Sequence, residues 1–411
     1  MSLSIASVTT RDARFTLQPG EGTDAVHSNP QYAYAVTLLA GDDGTVGTGF
    51  VLTLGMGNDL VTAATEMLAG PLVGQDIEEL MADFGKVQRS LANHPQLRWL
   101  GPHKGIVHLA LASITNACFD LWAKSRGLPL WSLLLDLDTE QLVNLLDLSY
   151  LEDVLTREQA VTMIEDHRPT REGRAQILKD GYPGYDTSIG WFGYSDERLV
   201  ENARQAVANG FLALKLKVGS DEPERDYRRA TLLREAVGRD VDLMIDVNQQ
   251  WPVPAAIERC HHLRDLDLLW VEEPTHPDDI LGHQKIAREI LPLRIATGEH
   301  VANRIGFKNL IQAGAVHFVQ PDITRVAGIS EFLTVALLAK QASLPVVPHV
   351  GDMGQVHQHL MLFLRIALDN EPIFLEHIPH LREHFTHPAI IEEGRYLTTQ
   401  EPGSSADLKP A

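Results

Sequence analysis

Apolar and polar residues alternate along Tyr32–Leu39 as far as the turn-like Gly41–Gly44, and a second run of the same texture fills Gly47–Leu54. Period-two alternation on both sides of a short Gly/Asp turn predicts an antiparallel hairpin. From about Asp59 to Lys124 the apolar spacing becomes helical, and the Gly-then-Pro signal in Arg126–Pro129 predicts the helix exit. From about residue 183 a new beat sets in. Short apolar runs fall at Leu212–Val218, Val241–Val247, Leu268–Val271, Leu293–Ala296, Val316–Val319, Leu344–Val347 and Ile373–Leu375. They recur every 25 to 30 residues or roughly so, with amphipathic segments such as Glu197–Ala208 and Ile329–Gln341 between them. A first strand near Tyr185–Ser188 brings the number to eight and predicts a closed parallel (β/α) barrel. The rival is an open doubly wound sheet. No phosphate fingerprint follows the first strand, and Gly55–Gly57 lacks the third glycine and the context of one.

Bulk properties narrow the function more than the fold. The 411 residues exceed what one small core needs and predict two domains. A formal charge of -20, from 55 acidic and 35 basic residues, repels nucleic acid and anionic membrane, so neither is an expected partner. An acidic substrate would need concentrated local positive charge. Cys118 and Cys260 stand far apart, which excludes a disulfide framework or a Cys-based zinc cluster and fits a reducing cytosol. The N-terminal residues carry no apolar signal segment, and the greasiest stretch read from sequence, Leu360–Leu368, holds Arg365 and is too short for a bilayer. A soluble, cytoplasmic protein is expected.

The chemistry gathers where the apolar runs stop. Along Phe211–Val218 the leucines and Val218 occupy one strand face and Lys215 and Lys217 the other. The leucines belong against the helices, so both lysines point into the barrel, where carboxylates or a ligand must compensate them. An edge strand with a solvated face is the bland alternative. The next strand supplies Asp246 and Asn248, the one after it Glu272, and the following one Glu299; the three acids stand 26 and 27 residues apart. Barrel strand ends converge on one mouth, so three carboxylates there call for a hard cation, magnesium or manganese rather than zinc. Read singly, each acid is a helix cap or a surface ion pair. Val316–Asp322 ends in an acid and Leu344–His349 in a histidine. Asp322 can fix one imidazole nitrogen of His349 and raise the basicity of the other. Glu376 adds an acid at the eighth strand.

This arrangement resembles the enolase superfamily, in its mandelate racemase subgroup: Lys-x-Lys on the second strand, acids on the next three, then an Asp–His pair. The segments Asn116–Lys124 and Gly127–Trp131 are similar to the end of that superfamily's capping domain. A narrower likeness, to L-fuconate dehydratases, rests on Gln96–Pro102, Tyr182–Ser188, Gly190–Trp191, Gly193–Glu197, Ala213–Gly219, Trp270–Thr275, Pro277–Asp279, Gly282–His283 and His380–Phe385. The resemblance implies an enolase-type (β/α) barrel over 136–385. It also implies an α+β capping domain over 1–135 that carries the specificity loops, and a segment 386–411 returning to the cap. It implies Asp246, Glu272 and Glu299 as ligands of one Mg2+ (Mn2+ a possible substitute), Lys217 as base, and His349 with Asp322 as acid dyad. Lys215, Glu376 and Asn248 would line the site, and such enzymes use a Lys or His base with magnesium. It further implies a homo-oligomer acting on a small acid sugar. Pro19–His27 and Val350–Leu360 depart from the fuconate pattern, and the Gly20–His27 and Gly351–His359 segments within them are expected to border the substrate's distal end. Asp24, His27, Trp99 and Asp352 are the residues expected to touch substrate there, with Gln355 and His357 also in reach.

The expected reaction is loss of water from an acid sugar. Lys217 takes the C2 proton, with its pKa depressed by Lys215 and the metal. His349 protonates the departing C3 hydroxyl and a 2-keto-3-deoxy acid results. L-Fuconate is the expected substrate; D-arabinonate, L-galactonate and galactarate are alternatives. Epimerisation at C2, a metal-dependent aldolase and an inert sugar-acid-binding protein are the competing functions.

Overall fold

The computed structural model describes residues 3–101 and 103–410; Pro102, the last residue of the Gln96–Pro102 block, lies outside them. A three-stranded antiparallel sheet opens the chain, with β1 (Ile5–Arg14), β2 (Ala33–Gly41) and β3 (Val46–Thr53) in that order. Gly41 N–H donates to the Thr45 carbonyl at 2.7 Å and Gly44 takes φ 89°, which closes the hairpin. The helix Gly105–Ser125 lies directly on β3. A Cβ on Gly49 would come within 2.2 Å of the Ser113 carbonyl, so the glycines of this strand let the helix seat against its backbone. This helix is long and apolar enough to cross a membrane, yet 89% of its apolar window is buried inside the fold. Burying its Leu111, Phe119 and Leu121 contributes about 1.5–3 kcal/mol each.

The barrel follows. Its parallel strands are β4 (Tyr182–Gly190), β5 (Ala213–Lys217), β6 (Asp242–Asp246), β7 (Leu268–Glu272), β8 (Arg294–Thr297) and β9 (Phe318–Val319), in sequence order, and β10 (Leu375–His377) pairs in parallel with β4. The expected strand at Leu344–Val347 shrinks to a single bridge between Val346 and Val319. Pro345 and Pro348 cannot donate to a ladder, which explains the loss. Outward-facing Leu214, Leu216, Leu243, Ile245 and Val271 pack with helix residues such as Leu199, Leu233 and Ile286. Tyr185, Ala213, Met244, Trp270, Ala296, Phe318 and Val347 form a separate apolar plug inside the barrel.

The connecting helices between residues 130 and 174 pack on the helix Gln355–Leu368. The C-terminal segment differs from expectation in its first half. β11 (Ile391–Glu392) and β12 (Arg395–Tyr396) form a hairpin that pairs with β4 before the chain reaches the cap. There Leu130 N–H donates to the Gly403 carbonyl at 2.8 Å and Asp407 meets Lys124 at 2.7 Å. A buried ionic group welds cap to barrel. Arg304 reaches Glu331 at 3.0 Å and Asp147 at 2.8 Å, and Gln88 of the cap donates to Glu331. Removing one member of such a group costs about 3–5 kcal/mol. The cap is thereby fixed over the barrel mouth.

Candidate active site

Strand register builds the site. Lys217 pairs with Asp246 across β5 and β6, and Asp246 with Glu272 across β6 and β7, so three charged strand ends stand in one row. Lys215 and Lys217 point inward from alternate positions of β5. Lys215, with no solvent exposure, lies 2.5 Å from Glu272 and 2.8 Å from Glu376; Lys217 lies 2.5 Å from Asp246. Glu272 also accepts from Gln320 at 2.9 Å and Trp270 Nε1 at 3.1 Å, and Thr187 donates to Glu376 at 2.5 Å. Asn248 N–H holds Asp246 at 2.9 Å from a backbone at φ 48°, a left-handed position that asparagine tolerates.

Asp246, Glu272 and Glu299 are buried and each offers an oxygen within 4.8 Å of the others. Burial, with Asp246 and Glu376 nearby, pushes the Glu272 carboxyl up to about 8 despite Lys215 beside it. One oxygen of Glu299 is buried without a hydrogen-bond partner. A buried all-oxygen donor set, with the Glu272 carboxyl pushed toward its neutral form and a Glu299 oxygen that makes no hydrogen bond, fits a hard divalent cation. Burial opposes charge on Lys217, and so does Lys215, but Asp246, with Asp24 and Glu299, outweighs both and holds the amine above the ordinary lysine range. The expected depression by Lys215 is therefore not delivered by the chain alone; Asp246 must first have its charge taken up elsewhere.

His349 Nδ1 bonds Asp322 Oδ2 at 2.6 Å, and its Nε2 lies 3.3 Å from Glu299. Burial would lower the imidazole's affinity for protons, but Glu299 and Asp322 outweigh it and push the value up to about 10. Asp322 is itself held by Thr324, through backbone and hydroxyl at 2.8 Å each, and by Gly351 N–H at 2.9 Å. A Cβ on Gly351 would stand 2.7 Å from Asp322 Oδ2, so only glycine allows that approach. The cap also reaches this support: Asn116 donates to the Ile323 carbonyl at 3.2 Å and Tyr34 to the Gly351 carbonyl at 3.1 Å.

Lys217, Asn248, Glu299, His349, Glu376, Asp24 and His27 line one cavity of about 140 Å³ between cap and barrel mouth. Asp246, Glu272, Asp322 and Lys215 stand behind its wall, bonded to residues that line it or to one another. Wider grooves on the outer helices, such as that bordered by Tyr227, Trp251 and His262, bring no comparable set of groups together. Two expected contacts lie elsewhere. Trp99 is 99% exposed and is not at the cavity. Asp352 is fully buried and bonds Gly354, Val356 and His357 N–H groups and the His357 ring, holding the start of the helix Gln355–Leu368. Gln355 and His357 are buried as well, and His357 Nε2 accepts from Ile323 N–H. Residues 351–359 thus brace the dyad and do not line the cavity. Sequence reasoning missed Arg325, His300, Tyr32 and the Leu52–Leu54 edge, all of which line the cavity. Arg325 had one available signal, a lone charge three residues beyond Asp322.

Residues 5–134 match the mandelate racemase/muconate lactonizing enzyme N-terminal domain, and residues 198–411 the enolase C-terminal domain-like family. The chain belongs to the enolase superfamily. Human mitochondrial enolase superfamily member 1 is 41% identical over 415 residues, covering 98% of this chain and 94% of that protein. Its crystal structure superposes with a TM-score of 0.96 over 99% of this chain and 95% of that one at 40% identity. The L-galactonate dehydratase of Hypocrea jecorina is 39% identical over 417 residues, 99% of this chain and 92% of that protein. The L-talarate/galactarate dehydratase of Salmonella typhimurium, solved with Mg and L-lyxarohydroxamate, gives a TM-score of 0.78 at 27% identity, covering 100% and 92%. Like these superfamily members, the chain pairs a capping domain with a barrel. Its wider resemblance holds, while the relatives at this level are named for L-galactonate, L-talarate and galactarate, not specifically for L-fuconate.

Proposed function

We propose that this chain is a magnesium-dependent acid-sugar dehydratase acting on acids of L-galacto configuration. The observation that carries the reading is a single cavity lined by both Lys217 and the Asp322-bound His349, with Asp246, Glu272 and Glu299 grouped at its base. Lys217 and His349 stand at well-separated points of the strand ring, one at the end of β5 and one beyond β9, as groups working on opposite sides of a substrate must. Magnesium held by the three acids would supply the positive charge that makes a neighbouring α-hydrogen acidic. Lys217 removes the C2 proton. His349 Nε2 delivers a proton to the C3 hydroxyl, which leaves as water, and the enol ketonises to a 2-keto-3-deoxy acid. Asp322 holds the imidazole through Nδ1 so that Nε2 is the acid, and the upward shift of His349 keeps it protonated at neutral pH.

L-Fuconate, L-galactonate and galactarate share one carbon skeleton and configuration and differ only at C6, which is methyl, hydroxymethyl or carboxylate. Support for L-galactonate comes from the Hypocrea relative and from the Asp24–His27 pair at the cavity, bonded at 2.9 Å. Pro30, Leu52, Leu54 and Ile378 supply an apolar wall that suits the methyl of L-fuconate. The test is a panel of acid sugars with magnesium, read by semicarbazide detection of 2-keto products. Turnover of this C6 series with rejection of C3 epimers is the expected result; no 2-keto acid from any member overturns the reading. A preference of about a hundredfold within the series, about 2.7 kcal/mol in the transition state, fixes the terminal group.

A further inference from the structure

Each other cation around this cavity has a carboxylate of its own. Lys215 meets Glu272 and Glu376, Lys217 meets Asp246, and His349 meets Asp322. His300 lies 2.8 Å from Glu273, and His27 pairs with Asp24. Arg325 breaks the pattern. It lines the same cavity from the turn after β9, where its backbone N–H closes on the Asp322 carbonyl at 2.9 Å. Its Nε is buried and has no hydrogen-bond partner, and among the described residues no carboxylate comes within ion-pairing distance of the guanidinium. It is near enough to His300 to disfavour charge there. The turn that carries it is fixed at both ends of its approach, by Thr324 on Asp322 and by Asn116 on the Ile323 carbonyl. A half-buried guanidinium with an orphaned donor, in a chain of formal charge -20, is a site left open for an anion. Its planar fork matches a carboxylate in a way that a lysine does not.

We propose that Arg325 is the substrate-anchoring cation of this site and donates to a carboxylate oxygen of the acid sugar. The proposal rests on the acid-sugar reading of the cavity. Two carboxylates are chemically eligible, the reacting one at C1 and, in a diacid, the one at C6, and the C6 series separates them.

The experiment is equilibrium binding by calorimetry, with magnesium present, in a His349→Asn background that stops water loss. Arg325→Gln and Arg325→Lys are compared with the parent for L-fuconate, L-galactonate, galactarate and the neutral galactitol. Arg325→Gln is expected to raise Kd for acids about 10- to 100-fold, leave galactitol unchanged, and be partly rescued in Arg325→Lys. Loss for all three acids assigns the C1 carboxylate; loss for galactarate alone assigns C6. Unchanged Kd for every acid, or equal loss for galactitol, overturns the role of Arg325 while the acid-sugar reading stands. Failure of the parent to bind any acid overturns that reading, and the proposal with it. Unchanged melting temperature in Arg325→Gln is the control that the loss is one of recognition.

Discussion

Replacing His349 with asparagine is expected to cut formation of the 2-keto acid by about 10²- to 10⁴-fold, the range set by losing a positioned general acid, while leaving exchange of the C2 hydrogen with solvent. The split follows from where the two groups sit. Lys217 works from the end of β5 and does not touch the dyad, so its proton transfer survives. Asparagine keeps the polarity and roughly the reach of the side chain, but it cannot deliver a proton to a departing hydroxyl. Asp322 remains anchored by Thr324 and Gly351 in the variant, so the loss is chemical and not a collapse of the loop. The wild-type enzyme should lose dehydration as pH rises toward about 10, because the acid form of His349 is the working one and its neighbours Glu299 and Asp322 hold the proton on it. Neutralising Glu299 by cation binding weakens one of those two supports, so the alkaline limb falls below that value. Semicarbazide detection of product and deuterium content of recovered substrate, measured on the same samples, check the split. Parallel loss of both activities would show that His349 and Lys217 are not separate acid and base.

Glu272→Gln is expected to lower magnesium-dependent turnover by on the order of 10³-fold or more without unfolding the protein. Glutamine preserves the volume at a position that is fully buried and bonded to Lys215, Trp270 and Gln320. It also relieves repulsion, since burial and Asp246 already push the native carboxyl up to about 8. The melting temperature without magnesium should nevertheless fall somewhat, because Lys215 donates to one carboxylate oxygen and Trp270 and Gln320 to the other, so the glutamine NH2 must face a donor. What disappears is the rise that magnesium gives, because a ligand that binds the folded state stabilises it only where its site persists. Thermal denaturation with magnesium and with EDTA checks this, and a full magnesium-induced shift in the variant would remove Glu272 from the ligand set.

The parts of this site that could be read from sequence are those that strand periodicity governs. Five-residue strands with strict alternation leave no choice about which face Lys215 and Lys217 take, and the repeat of about one βα unit puts Asp246, Glu272 and Glu299 at successive strand ends. Register then does the rest. The loops followed a different logic. Asp352 looked available because it is polar and close to His349, but a carboxylate next to free helix N–H groups bonds them before it faces a ligand. Trp99 sits in a surface turn whose packing no local pattern encodes. Arg325 was missed because its role depends on what is absent around it, a partner carboxylate, and only the folded neighbourhood shows that. The single-bridge seventh strand is masked for a simpler reason: its apolar run has the texture of a strand, but Pro345 and Pro348 on either side of Val346 and Val347 remove donors from the ladder.

The fate of the C2 and C3 atoms tests the central claim most directly. The enzyme is incubated in D2O with magnesium and L-galactonate or L-fuconate, and the mixture is followed by proton NMR. Loss of the C2 hydrogen, loss of the C3 hydroxyl and a 2-keto-3-deoxy acid carrying solvent deuterium at C3 are the predicted result. A C2 epimer that retains its C3 hydroxyl, or aldehyde and keto-acid fragments from C–C cleavage, would contradict it.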